Sequence, residues 1–224
     1  MNWKNKLTNA LAVSALLLAS PSAHAGIYTW SAPTPISTAE TTLGQPGTIV
    51  GAAVFGNDEK LVVLSTGTTI HFTTDGSVAT ATGFGTAYGG FTNNTGNAAF
   101  NGALTQFNYD GGPKTITLNN LVIGQQYSVQ LFACDRRDGI ASTRVGNYQD
   151  PNDAGNVSAN FQMGDYAYVI GTFTAGNPSE SIQMNLLNSN GGNINALVLR
   201  AIGTNVPPQI TVQPQPANIY NGLK

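Results

Sequence analysis

Hard oxygen donors concentrate in one stretch of the chain. Asp135, Asp138, Asp150, Asn152, Asp153 and Asn156 fall within 22 residues of one another. Carboxylate and amide oxygens of this kind suit Ca²⁺. Asp135, Asp138, Asp150 and Asp153 are therefore the candidate ligands of a structural calcium ion, and no other cofactor is implied. The run Asp150-Pro151-Asn152-Asp153-Ala154-Gly155-Asn156 has the composition of a calcium loop, without the alternating spacing and closing Glu of an EF-hand. The competing reading is a polar loop whose Asx side chains cap turns. Arg136, Arg137 and Arg144 share the segment. They either pair with the acids or donate hydrogen bonds to sugar hydroxyls or a carboxylate.

Aromatic rings are the second source of candidates. A flat ring matches the apolar face of a sugar and loses little entropy on contact. Phe84, Tyr88 and Phe91 lie in one Gly/Asn-rich stretch beside Asn93, Asn94 and Asn97, and Tyr148 lies at a strand end. Phe84, Tyr88, Phe91, Asn94, Tyr148 and Arg144 form the candidate ligand-binding set. The alternative is that the rings fold back over the edge of the domain. Trp30 reads as a packing anchor. No catalytic residue emerges: the close acidic pairs Asp58/Glu59, Asp135/Asp138 and Asp150/Asp153 sit in no recognisable catalytic motif. A glycosidase needs two carboxylates about 5–9 Å apart across a cleft, so a polysaccharide-active enzyme is the trailing reading. Cys134 follows a strand and reads as a buried thiol.

Composition narrows the classes further. Only 9% of the 224 residues are charged, and nine Lys and Arg face eleven Asp and Glu. A nucleic-acid partner would need a basic patch to neutralise phosphates, and none is present. One cysteine provides neither an intramolecular disulfide nor a Cys-based zinc site. Lys4, Lys6, the apolar run 11–19 and Ala23-His24-Ala25 follow the pattern of a signal peptide cleaved after Ala25. Export through it to the extracellular space or the cell surface is the expectation. Cleavage leaves His71, in a strand-like run, as the only histidine. No later stretch is long and apolar enough to span a bilayer.

The elements that must position these residues read as strands. Residues 48–55, 60–65, 68–73, 114–121, 126–134, 166–175, 180–187 and 193–202 are β-branched or alternating, with Gly, Asn and Pro turns between them. Ile116 and Leu118 alternate with Thr115 and Thr117; Ile182, Met184 and Leu186 alternate with Gln183 and Asn185. Residues 83–102 show no helical period and read as a loop or irregular edge. No amphipathic helix is evident after the signal peptide. The fold class is all-β, an antiparallel β-sandwich over residues 26–203. After Gly203 a Pro-rich linker leads into Ile210-Thr211-Val212, the first strand of a further module.

Two resemblances add to this reading. Tyr127-Ser128-Val129-Gln130-Leu131-Phe132, then Asp135-Arg136-Arg137, Gly171-Thr172-Phe173-Thr174-Ala175 and Asn195-Ala196-Leu197-Val198-Leu199-Arg200 resemble secreted β-sandwich modules of the planctomycete and Verrucomicrobia type. Those modules look like the galactose-binding-like jelly-roll superfamily, which includes many carbohydrate-binding modules. The resemblance covers residues 118–202 and rests on core strands; it makes Arg200 structural. Residues 204–224 resemble the opening of a bacterial immunoglobulin-like repeat. Together they imply a non-catalytic module of a modular exported protein, with a glycan or cell-surface polysaccharide and further modules of the same chain as partners. A structural or adhesive module with no small ligand is the alternative.

Overall fold

The computed structural model describes residues 28–89, 93–110, 114–137, 139, 143–188 and 191–203. Residues 1–25, expected to be a signal peptide, and the Pro-rich stretch 204–224 with its expected further module lie outside the described residues.

In chain order the elements are β1 (Thr29–Trp30), β2 (Thr34–Pro35), α1 (Ala39–Leu43), β3 (Thr48–Val54), β4 (Lys60–Val63), β5 (Thr69–Thr73), β6 (Ala79–Thr82), β7 (Thr86–Tyr88), α2 (Ala98–Thr105), β8 (Phe107–Asp110), β9 (Lys114–Leu118), β10 (Gln126–Phe132), β11 (Val145–Asp150), β12 (Asp153–Val157), β13 (Phe161–Gln162), β14 (Ala167–Thr174), β15 (Glu180–Leu186), β16 (Gly192–Ile194) and β17 (Ala196–Ala201). They build an all-β sandwich. The larger sheet runs β1-β14-β10-β17-β3-β5-β4, with β2 also on β14; the smaller runs β12-β11-β15-β9-β6, with β13 also on β11. A short third sheet, β16-β8-β7, closes one end. Pairing is antiparallel except for β3 with β5, which is parallel.

The main core lies between the two sheets. Tyr127, Val129, Leu131, Leu197 and Leu199 of the larger sheet meet Ile116, Leu118, Tyr148, Ile182 and Met184 of the smaller. Burying each such side chain contributes about 1.5–3 kcal/mol. Trp30 is the expected packing anchor. It stacks on Tyr28 at 5.0 Å and lies 6.1 Å from Tyr148. Gly171 admits it: a Cβ there would sit 2.7 Å from the indole.

A second core covers the other face of the larger sheet, where Phe100, Ala103 and Leu104 of α2 and Leu43 of α1 pack on Phe72, Phe132 and Val198. The larger sheet is thus buried on both faces, which explains the unbroken burial along β10 and β17. Its polar side chains bind the helix ends. Gln130 Nε2 donates to Thr42 O (2.8 Å), and Arg200 Nη2 donates to Leu43 O (2.6 Å) and Nη1 to Gln130 Oε1 (3.2 Å). Burial pushes the Arg200 pKa down to about 10, still well above neutral pH. Asn195, fully buried, accepts from Cys134 N (2.7 Å) and donates to Leu104 O (2.6 Å) at the end of α2.

Three expectations from the sequence are corrected. The stretch 83–102 is not one loop: it holds β7 and the first turn of α2. Asn97 caps that helix by accepting from Phe100 N at 3.1 Å, and its apolar face is Phe100, Ala103 and Leu104. Two helical turns show this spacing only once, too briefly to register as a period. The strand expected over 193–202 is two strands in different sheets, divided at Asn195. The polar stretch ending at Asn156 is largely the β11–β12 hairpin.

Candidate functional site

The structure brings part of the expected set together at one end of the sandwich. Arg144 precedes β11, and its carbonyl accepts from Met163 N at 2.9 Å. Asp135 follows β10, and its backbone N–H donates to Met163 O at 2.9 Å. The two side chains therefore converge. Asp135 is fully buried and clamped by Arg137, whose Nε donates to Oδ1 (2.9 Å) and Nη2 to Oδ2 (2.7 Å). Arg144 Nη1 lies 3.5 Å from Asp135 Oδ2, and its Nη2 donates to Tyr109 Oη at 3.2 Å. The Arg144 guanidinium lies 4.6 Å from the centre of the Tyr109 ring, and that of Arg137 lies 5.0 Å from Phe107. The register of Tyr109 opposite Asn193 in the third sheet places its ring here.

The calcium expectation is corrected at Asp135, whose carboxylate is occupied by a guanidinium rather than facing an open cation position. Asp150 and Asp153 are used locally. Asp150 Oδ1 accepts from Asn152 N and Asp153 Oδ1 from Gly155 N, both at 2.9 Å. These are Asx turns of the hairpin. Asp138 lies outside the described residues. Among the described residues no group of three His, Cys, Asp or Glu side chains is placed to hold a metal ion.

Among the described residues the expected aromatic rings form no platform. Tyr148 is corrected from ligand contact to core: it is fully buried, with Phe161 at 5.0 Å. Burial holds its hydroxyl well above the usual phenol pKa. Phe84 is half-buried, packed on the main core, with the Lys114 ammonium 5.3 Å from its ring centre. Asn94 is exposed. Phe91 and the Tyr88 side chain lie outside the described residues. Cys134 is buried, and burial pushes its thiol pKa far up, so it stays protonated. His71 stands on β5 with Nε2 2.9 Å from Glu59 Oε2 at the surface.

A second surface emerges that site-by-site reading of the sequence missed. On the smaller sheet the inward residues fill the core and their neighbours point outward. The outward positions are Thr80 and Thr82 on β6, Thr115 and Thr117 on β9, Ser181, Gln183 and Asn185 on β15, and Asn147 and Gln149 on β11. The register aligns Thr117 with Ser181, Thr115 with Gln183, Gln183 with Gln149, and Asn185 with Asn147. All of these carry hydrogen-bonding groups and none is charged. Neighbouring amides orient each other: Gln183 Nε2 donates to Asn185 Oδ1 (2.8 Å), and Asn185 Nδ2 donates to Gln149 Oε1 (2.7 Å) and Asn147 Oδ1 (3.0 Å). The signal was the alternation itself, Thr115 and Thr117 against Ile116 and Leu118, and Gln183 and Asn185 against Ile182 and Met184.

No protein-family model and no curated protein matches the sequence. Among solved structures, the plant receptor-like kinase ANX2 superposes with a TM-score of 0.52 at 15% identity, over 70% of this chain and 48% of its own. The ANXUR2 extracellular domain from Arabidopsis thaliana has the same TM-score and identity, over 70% of this chain and 49% of its own. The chain spans about half the length of both. A promiscuous carbohydrate-binding module of the β-sandwich superfamily aligns over 81% of this chain and 98% of its own at 14% identity, with a TM-score of only 0.22. The two plant structures show the fold, an all-β sandwich, and nothing finer.

Proposed function

We propose that the chain is a non-catalytic glycan-binding module of an exported protein. The observation that carries this reading is the uncharged amide and hydroxyl face of the smaller sheet. An amide offers donors and an acceptor on one short side chain, as an array of sugar hydroxyls requires. A grid already oriented by its own hydrogen bonds loses little side-chain entropy on binding. With no aromatic platform among the described residues of this face, contact rests on hydrogen bonds and bridging water, which favours extended polysaccharide over a single sugar. Export accords with the extracellular domain among the fold neighbours and with the signal-peptide pattern.

Affinity electrophoresis through gels containing soluble xylan, β-glucan or galactan tests this. Retardation by at least one polysaccharide is expected. The double variant Gln183→Ala/Asn185→Ala should lose it while its thermal midpoint stays unchanged, since both side chains lie on the open face. A folded wild-type protein that no polysaccharide retards overturns the reading in favour of a structural or adhesive module.

A further inference from the structure

The three sheets meet around an open cavity of about 200 Å³. The ends of β3 and β5 bound it on the larger sheet, β6 on the smaller and Asn108 of β8 on the third. Phe55, part of the main core, gives it one apolar wall. Its polar lining is Thr73, Thr74, Thr80 and Asn108, and no lining residue is charged. Asn108 is half-buried, and among the described residues its amide has no hydrogen-bond partner. The two turns beside the cavity are fixed from outside it. Gln106 Oε1 accepts from Asn57 N and Asp58 N, both at 2.9 Å, and Gln106 Nε2 donates to Asp58 O at 2.6 Å. Asn119 Nδ2 donates to Gly76 O and Asn120 Nδ2 to Ser77 O, both at 2.9 Å. Walls held in this way lose little entropy when the cavity fills.

We propose that this cavity takes the terminal residue of a neutral glycan, so that the module reads chain ends. This deepens the glycan-binding reading and rests on it. The volume admits one pyranose and not two. Threonine hydroxyls and a free amide offer donors and acceptors to its hydroxyls, and the Phe55 wall meets its apolar face. A sugar carboxylate would enter with no lining cation to pair it. The cavity also continues the open polar face. Thr80 lines it and is an outward position of β6, aligned with Thr117 of β9 and through it with Ser181 of β15. Strands stand about 4.8 Å apart, close to the rise per residue of an extended polysaccharide. A chain laid along Ser181, Thr117 and Thr80 therefore sets about one sugar on each strand and its last in the cavity.

The test follows the Asn108 side-chain amide and the Gly56 and Gly76 backbone amides of the wild-type protein by ¹H–¹⁵N NMR. The probes are xylohexaose, cellohexaose and β-1,4-galactohexaose, with trigalacturonate as the acidic control. At least one hexaose should shift these signals in a saturable way. Its parent polysaccharide, which carries far fewer ends, should act much more weakly at equal sugar mass. An equal response from the polymer overturns end recognition, and an equal response from trigalacturonate overturns the neutral assignment. Asn108→Ala removes an amide with no described protein partner, so it should keep the wild-type thermal midpoint and weaken hexaose binding about tenfold. Unchanged hexaose affinity in that variant counts against the cavity. If a polysaccharide retards the protein in gels and no hexaose moves the cavity signals, this inference fails and the glycan reading stands. If a hexaose moves them while no polysaccharide retards the protein, the cavity stands and the sheet-face reading fails.

Discussion

The two sheets of this sandwich place similar polar side chains on their outer faces and use them differently. On the larger sheet, Gln130 and Arg200 lie beneath α1 and satisfy its last carbonyls. Asn195, at the edge of the same sheet, does so for α2. These groups are buried and hold helices to strands. On the smaller sheet no helix covers Gln149, Gln183 and Asn185 among the described residues, and these amides bond to one another and to Asn147, which is itself buried and donates to Asn160. What lies over a strand, rather than the polarity of its side chains, decides whether an amide fastens a helix or stays on an uncovered face. The termini of helices demand acceptors and donors, and the sheet that carries the helices supplies them.

The comparison breaks first at the core the sheets share. Tyr148→Ala should destabilise by about 4 kcal/mol, as for other large aromatic truncations, measured by urea unfolding. Tyr148→Phe should change stability by less than about 1 kcal/mol, because the Tyr148 hydroxyl has no partner to lose. A Tyr148→Ala protein of wild-type stability would return that ring to the surface. The next effect belongs to the covered sheet. Arg200→Met keeps most of the apolar stem but strands Leu43 O and Gln130, at a cost of about 2 kcal/mol. Hydrogen exchange in α1 should accelerate with it. The open sheet should not respond in kind: Gln183→Ala should shift stability by no more than about 0.5 kcal/mol. Equal costs for Arg200→Met and Gln183→Ala would erase the distinction between the faces.

Most of the larger sheet was legible in the sequence, because period-two runs such as Tyr127, Val129 and Leu131 are local signals. The third sheet was not. Gly192–Ile194 and Ala196–Ala201 read as one strand, and the run divides at Asn195, whose side chain bonds to Cys134 and Leu104. Those partners are 61 and 91 residues away in the chain. Helix α2 was hidden by its brevity and by the glycines and asparagines before it. The site was half legible. Arg144 and Asp135 were picked out by type, but which acid met which base depended on Met163 drawing two segments together. Tyr148 shows the limit of composition: a tyrosine in an Asn/Gln-rich strand reads as a surface ring until its alternation partners Gly146 and Asp150, also inward, are placed.

The smallest expected effect concerns the β11–β12 hairpin at the rim of the open sheet, where calcium was anticipated. Calcium takes six to eight oxygens. Here Asp150 Oδ1 and Asp153 Oδ1 already accept main-chain hydrogen bonds within their own turn, and Asp135 is held by Arg137. An ion at Asp135 would have to displace a guanidinium and place two positive charges beside Arg144. A ligand at a hundred times its Kd stabilises by about 2.7 kcal/mol, which in a domain of this size raises the melting point by about 5–10 °C. Differential scanning calorimetry in millimolar Ca²⁺ and in EDTA should therefore give melting points within about 1 °C of each other. A rise of several degrees with Ca²⁺, abolished by Asp153→Ala, would make this rim a metal site and set it apart from the amide face beside it.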